Sequence, residues 1–288
     1  IFIRDGTSWS QQAKLVAGDA ADFDQFAYSV SISGDYALVG ANMNDDANTS
    51  SGSAYIFVRD GTSWSQQAKL VADDAASGDY FGQSVSISGD YALVGALYDD
   101  DGGSNSGSAY IFIRDGTSWS QQAKLVAGDA ATGDQFGYSV SISGDYALVG
   151  ASYSDDVGND SGSAYTFVRD GTSWSQQAKL VADDAASDDY FGQSVSISGD
   201  YAVVGAHYDD DGGSNSGSAY TFVRSGTSWS QQAKLVAGDA AASDQFGYSV
   251  SISGDYAVVG AHGDDDGGSA SGSAYTFVRS GTSWSQQA

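Results

Sequence analysis

The stretch FGQSVSISGDYALVGA, Phe81 to Ala96, changes its pattern halfway along. In its first half Val85 and Ile87 alternate with Ser84, Ser86 and Ser88, the period-two signature of a strand with one buried face. After a short Ser-Gly-Asp turn, YALVGA is apolar on both faces and predicts an interior strand. SGSAYIFIRDG (Ser106 to Gly116) predicts a second interior strand, and the Asp115-Gly116 pair a two-residue hairpin turn. TSWSQQAKLV then places Trp119, Gln121, Ala123 and Leu125 on one face of an outer strand and Ser118, Ser120, Gln122 and Lys124 on the other, with the lysine guarding an exposed edge. Four strands joined in order make a meander, the format of a propeller blade.

The unit recurs. Trp9, Trp64, Trp119, Trp174, Trp229 and Trp284 are each 55 residues apart, and a fixed period of that size means one supersecondary unit per repeat. A second rhythm lies over the first: Gln25/Tyr28, Gln135/Tyr138 and Gln245/Tyr248 alternate with Tyr80/Gln83 and Tyr190/Gln193, so the units run A, B, A, B, A. This alternation is read as complementary packing between unlike neighbours, with sugar-binding notches as the functional alternative. The expected architecture is all-β, a tandem array of four-stranded antiparallel blades: a partial blade over 1–22, then blades over 23–77, 78–132, 133–187, 188–242 and 243–288. A sealed ring of five would bring two A units together at its seam. An even-numbered ring or an open, fibre-like stack would not, and a chain that opens at Ile1 inside a strand-like run, without Met, reads as an excerpt of a longer one.

Composition narrows the function. The 288 residues carry 37 acidic side chains, all aspartate, against 11 basic ones, a formal net charge of −26. Such a surface repels phosphate backbones and anionic lipid, which argues against nucleic acid and membrane partners and for cations. No apolar run approaches the roughly 20 residues that span a bilayer. The absence of cysteine excludes disulfides, thiolate chemistry and cysteine-ligated zinc. No nucleophile elbow, metalloprotease helix motif or phosphate-cradling loop is present, so an enzyme is not expected.

The charge is also polarised. In a meander the strand 1–2 and 3–4 turns share one end of the sheet, while the strand 2–3 loop shares the other with the link to the next unit. Nine aspartates fall in the tight turns and 28 on the loop face, whereas Arg4, Arg59, Arg114, Arg169, Arg224 and Arg279 sit at the turn end. The strand 2–3 loops include DDDGGSNSGSAY (Asp99 to Tyr110), its near copy from Asp209, and DDDGGSASGSAY from Asp264. Crowded carboxylates followed by flexible, oxygen-bearing residues suit calcium, a hard cation that takes six to eight oxygen ligands. The candidate ligands are Asp99, Asp100, Asp101, Asp209, Asp210, Asp211, Asp264, Asp265 and Asp266, with link residues such as Asp129 and Asp134 available from the same face. The alternative is that these are ordinary solvated turns. His207 and His262, at equivalent positions of neighbouring units, could share a metal or simply be loop histidines, and the six tryptophans read as repeat-core residues.

FGQSVSISGDYALVGA, with FGYSVSISGDYALVGA and FGQSVSISGDYAVVGA elsewhere, resembles the FG-GAP repeats of integrin-type β-propellers and of many bacterial surface proteins; only Phe26-Ala27 departs from the Phe-Gly start. The resemblance implies a β-propeller fold and an extracellular or cell-surface structural and adhesive role, with self-association, neighbouring repeats, or a surface glycan or protein as partner. Integrin-like blades often carry a calcium loop between the first two strands. Here that place holds only SGDY, too short to wrap an ion, so any calcium site must come from the separate DDDGG loops.

Overall fold

The computed structural model describes residues 1–287 as 22 strands. A two-stranded hairpin, β1 (Phe2–Asp5) and β2 (Ser8–Gln11), precedes five four-stranded antiparallel sheets. These are β3 (Ser29–Ser33), β4 (Tyr36–Ala41), β5 (Ser53–Asp60) and β6 (Ser63–Leu70); then β7 (Ser84–Ser88), β8 (Tyr91–Ala96), β9 (Ser108–Asp115) and β10 (Ser118–Leu125). The third and fourth sheets are β11 (Ser139–Ser143), β12 (Tyr146–Ala151), β13 (Ser163–Asp170), β14 (Ser173–Leu180), and β15 (Ser194–Ser198), β16 (Tyr201–Ala206), β17 (Ser218–Ser225), β18 (Ser228–Leu235). The fifth is β19 (Phe246–Ser253), β20 (Tyr256–Ala261), β21 (Ser273–Ser280) and β22 (Ser283–Gln286). Within each sheet the strands lie in chain order, the expected meander.

The core is not inside the sheets but between them. Each blade turns one face back to its predecessor and the other forward to its successor. Leu38, Ala54, Ile56 and Leu70 of the first blade meet Phe81, Val85, Ile87, Val94, Tyr110 and Phe112 of the second, and the equivalent positions meet at the next three interfaces, with Thr166 and Thr221 in the place of Ile56 at the last two. Burying such a side chain contributes roughly 1.5–3 kcal/mol, so the array is held together face to face. First strands touch first strands along the inner side (β3, β7, β11, β15, β19) and outer strands touch outer strands.

Phe81-Gly82 is where two backbones meet. Phe81 N–H donates to the Ser51 carbonyl at 3.0 Å, and Gly82, at φ +92°, leaves only 2.4 Å between an added Cβ and the Ser53 carbonyl oxygen. A side chain there would push the blades apart. Ala27, in the same position on the first blade, is exposed and has no such neighbour.

Two details depart from the expected pattern. The outer strand does not alternate throughout, because a β-bulge falls between Gln121 and Ala123. Trp119 therefore packs with the core behind its blade while Ala123 and Leu125 belong to the core in front of it. The tryptophans sit at the margin of that core: all but the exposed Trp9 are half-buried against it, and these five also bridge neighbouring units. Trp119 Nε1–H donates to Gln67 Oε1 at 2.9 Å, and Trp64, Trp174, Trp229 and Trp284 bond the preceding unit in the same way.

The array is open. Val85 and Ile87 are buried under the preceding blade, but their counterparts Val30 and Ile32 are 66% and 59% exposed. At the other end Tyr256 and Val258 are bare, although Val203, the counterpart of Val258, is fully buried.

Candidate functional site

On the loop face each of the first four blades builds the same structure from three segments: the link that enters the blade, its strand 2–3 loop and its outer strand. In the second blade these supply Asp74, Asp99 with Asp101, and Lys124. The bulge is what aims the lysine. It shifts Lys124 onto the face that carries Trp119, and the ammonium enters the carboxylate cluster instead of guarding an edge. Lys124 Nζ donates to Asp74 Oδ2 at 2.8 Å and to Asp99 Oδ2 at 3.0 Å, and it pairs with Asp101.

Asp99 is only 4% exposed, yet every lone pair is used. Ser108 Oγ donates to its Oδ1 at 3.0 Å, the Asp101 amide to the same oxygen at 3.1 Å, and the Tyr110 hydroxyl to Oδ2 at 2.8 Å. The Lys124 ammonium also lies 5.2 Å from the centre of the Tyr110 ring, within cation–π range. The fourth blade repeats this with Asp184, Asp209, Asp211, Tyr220 and Lys234. Burial alone would raise Asp74 and Asp184; the ammonium and the tyrosine hydroxyl outweigh it and hold both carboxyls below the ordinary range. Burial would likewise lower Lys124, but its bonds to Asp101, Asp74 and Asp99 carry it above the usual lysine value. Burial, followed by the charge of Asp99, raises the Tyr110 hydroxyl.

The first and third blades are built with less charge. Asn44 stands where Asp99 does, and Lys69 bonds Asp19 at 2.8 Å and Asn44 Oδ1 at 3.2 Å and pairs with Asp46. In the third blade Ser154 takes that place, and Lys179 bonds Asp129 at 2.7 Å and pairs with Asp156. In the fifth blade the Tyr275 hydroxyl donates to Asp264 at 2.7 Å and to Asp239 at 3.0 Å. There Asp264 and Asp239 raise the Asp266 carboxyl.

Of the nine proposed calcium ligands the structure brings four into compact clusters. Asp99 and Asp101 join Asp74, and Asp209 and Asp211 join Asp184, each triad with carboxylate oxygens within 4.8 Å of one another, a spacing that could hold a metal ion. Asp100 and Asp210 turn away to accept the amides of Asn105 and Asn215, at 2.7 and 2.6 Å. Asp264, Asp265 and Asp266 form no such triad among the described residues. Asp134 faces its own link, accepting the Ala131 amide at 2.8 Å, and burial raises it; its counterpart Asp189 is pushed up to about 6. What the sequence hid was the cation: each triad already encloses an ammonium.

The turn face differs. Arg59, Arg114, Arg169, Arg224 and Arg279 each pair with the aspartate of the strand 1–2 turn in their own blade, Asp35, Asp90, Asp145, Asp200 and Asp255. Four of these guanidinium groups also cover a tyrosine of the preceding blade, Arg279 over Tyr201 at 3.9 Å.

A family profile described as the FG-GAP repeat matches residues 9–57, 64–112, 119–167, 174–222 and 229–277. Each match runs from the outer-strand tryptophan of one blade to strand 3 of the next, so the matched unit straddles an interface. No curated protein matches the chain.

Proposed function

Since this chain belongs to the FG-GAP repeat family, we propose that it is a non-catalytic structural and adhesive repeat segment of an extracellular or cell-surface protein, built to continue by stacking further blades. The observation that carries this reading is the pair of bare faces. Val30 and Ile32 at one end, and Tyr256 and Val258 at the other, are the two halves of the interface that every internal pair of blades buries. A groove of about 630 Å³ opens on the first blade, lined by Ile1, Leu15, Phe26, Val30, Ile32 and Val39. The adjoining hairpin β1–β2 is exposed along its whole length, so it can yield to the equivalent hairpin of a neighbour that completes the blade. Loop-face chemistry fits the non-catalytic part: the buried Asp99 and Asp209 carboxylates are held in bonds that join separate segments. Calcium belongs to the same reading, as an ion that takes the ammonium's position in the Asp74 and Asp184 triads when the lysine yields.

Sedimentation velocity over a concentration series tests the stacking. Head-to-tail association is expected for the native chain, and Ile32→Lys or Val258→Lys should abolish it without lowering the melting temperature. A native chain that stays monomeric at millimolar concentration overturns the stacking reading.

A further inference from the structure

Away from the lysine cages, at the loop-side ends of the inner strands, lies a second set of side chains, only part of which ties neighbouring blades together. Adjoining register positions build it, among them the residue just after strand 2 (Asn42, Leu97, Ser152, His207, His262) and the one just before the SVSIS segment of strand 1 (Tyr28, Gln83, Tyr138, Gln193, Tyr248), with Tyr153, Tyr190 and Tyr208 beside them. The A-to-B alternation has a direct cause here. Gln83 donates its amide to the Tyr28 hydroxyl at 3.2 Å and Gln193 to Tyr138 at 3.0 Å, so unlike neighbours are tied across the interface.

From the third blade to the fifth the rings are continuous. Tyr138 and Tyr153 are 6.3 Å apart, Tyr153 and Tyr190 5.1 Å, Tyr190 and Tyr208 5.3 Å. His207 stands 5.7 Å from both Tyr190 and Tyr248, and Tyr248 stacks on His262 at 4.0 Å. Most of these rings are half-exposed, and Tyr248 and His262 are open to solvent. Tyr190 holds φ +55°, a conformation glycine adopts at least cost, and all five copies of that position nonetheless carry Gln or Tyr.

Three polar atoms at one register position have no partner: Asn42 Oδ1, Ser152 Oγ and His207 Nδ1. Their residues are 2%, 0% and 6% exposed. Buried polar atoms are nearly always paired, and unpaired ones recurring at one register position, two of them beside the run of rings, set this strip apart from the fully bonded cages. Burial, with the nearby His262, pushes His207 down to about 4, which leaves its ring neutral at neutral pH.

We propose that this strip, from Tyr138 to His262, binds a neutral oligosaccharide, whose pyranose faces stack on the tyrosines and whose hydroxyls pair with the tyrosine hydroxyls and the exposed His262. Hydroxyls donate and accept, and aromatic faces take the apolar side of a sugar ring. The aspartate-rich loop face beside the strip excludes uronate, sialate and phosphate ligands by charge. This goes beyond the stacking reading and does not depend on it.

Calorimetric titration of the native chain with neutral hexasaccharides (cello-, laminari-, malto- and N-acetylchito-) tests the site, with polygalacturonate and a lysine decapeptide as charged probes. At least one neutral hexasaccharide is expected to bind with a millimolar or tighter Kd. Tyr208→Ala, and separately Tyr153→Ala, should weaken it at least tenfold with an unchanged melting temperature. No neutral binder, binding indifferent to both substitutions, or binding of only the charged probes would overturn the assignment, whatever the sedimentation result.

Discussion

The second and fourth blades bury a carboxylate beneath their lysine, and the first and third do not. Asp99 and Asp209 are 4% and 3% exposed, while the same place is taken by Asn44 and Ser154 in the first and third blades. The lysine bridges the entering link and the loop in all four, so the bridging geometry does not require the extra charge. What the aspartate adds is dependence on the ammonium. A buried ion pair contributes little net stability over an apolar or neutral replacement, but breaking one by removing a partner is severe.

That asymmetry sets the largest expected effect. Lys124→Met leaves Asp99 without its counter-charge, next to Asp74 and Asp101, and should cost about 3–5 kcal/mol. Lys179→Met removes an ammonium from Asp129 and Asp156, which are 46% and 37% exposed, and should cost about 1 kcal/mol or less. Adding Asp99→Asn to Lys124→Met reproduces the neutral floor of the first blade and should recover most of the loss. Urea unfolding of the three variants measures this; equal losses for Lys124→Met and Lys179→Met would erase the distinction between blades.

Acid separates the groups next. The Asp74, Asp129 and Asp184 carboxyls are lowered, so the stability they contribute persists above their unfolded value of 3.8 and is lost only as pH falls below it. His207 acts earlier. Its folded value of about 4 lies below the unfolded 6.5, so its contribution is complete above 6.5 and drains away as pH falls toward 4, about 3 kcal/mol in all. Asp189 opposes it: raised to about 6, it destabilises at neutral pH and relieves that strain as pH falls from about 6 toward 3.8. His207→Gln should therefore flatten or invert the stability slope between pH 6.5 and 4 while leaving the loss below 3.8 unchanged. An unaltered slope in that variant would remove His207 from the account.

Much of this was legible before any coordinates. Val85 and Ile87 alternating with serines, the YALVGA run and the Asp-Gly hairpin each impose a local geometry, and the 55-residue period multiplies it into a meander array. The polarity of the sheet followed from connectivity alone, and the arginines do lie at the turn end. The cages were not legible, for one physical reason. Strict alternation places Lys124 opposite Trp119, and only the cross-strand register reveals the bulge that brings it round to Asp74 and Asp99. A cation concealed in an outer strand made the aspartate loops look like vacant metal sites. The orphaned atoms of Asn42, Ser152 and His207 were likewise invisible, because whether a buried polar group has a partner depends on blade-to-blade packing and not on spacing along the chain.

Calcium gives the smallest and most discriminating effect. In the native chain an ion must displace an ammonium already bonded to three carboxylates, so calcium should do little more than magnesium does at equal ionic strength, through general screening of the acidic face. Removing the lysine changes the two kinds of blade differently. In Lys124→Met the triad of Asp74, Asp99 and Asp101 is left open, with oxygens already within 4.8 Å of one another. Calcium at about five times its Kd should then return about 1 kcal/mol, or about 2–4 °C in melting temperature for a chain of this length. In Lys179→Met only Asp129 and Asp156 remain beside Ser154, too few charged oxygens to hold the ion, and calcium should leave its melting curve where magnesium leaves it. Melting curves of the native chain and both variants, with calcium, with magnesium and with chelator, decide the matter. A calcium-specific shift of the same size in all three would mean that the ion binds elsewhere on the loop face and that the triads owe nothing to it.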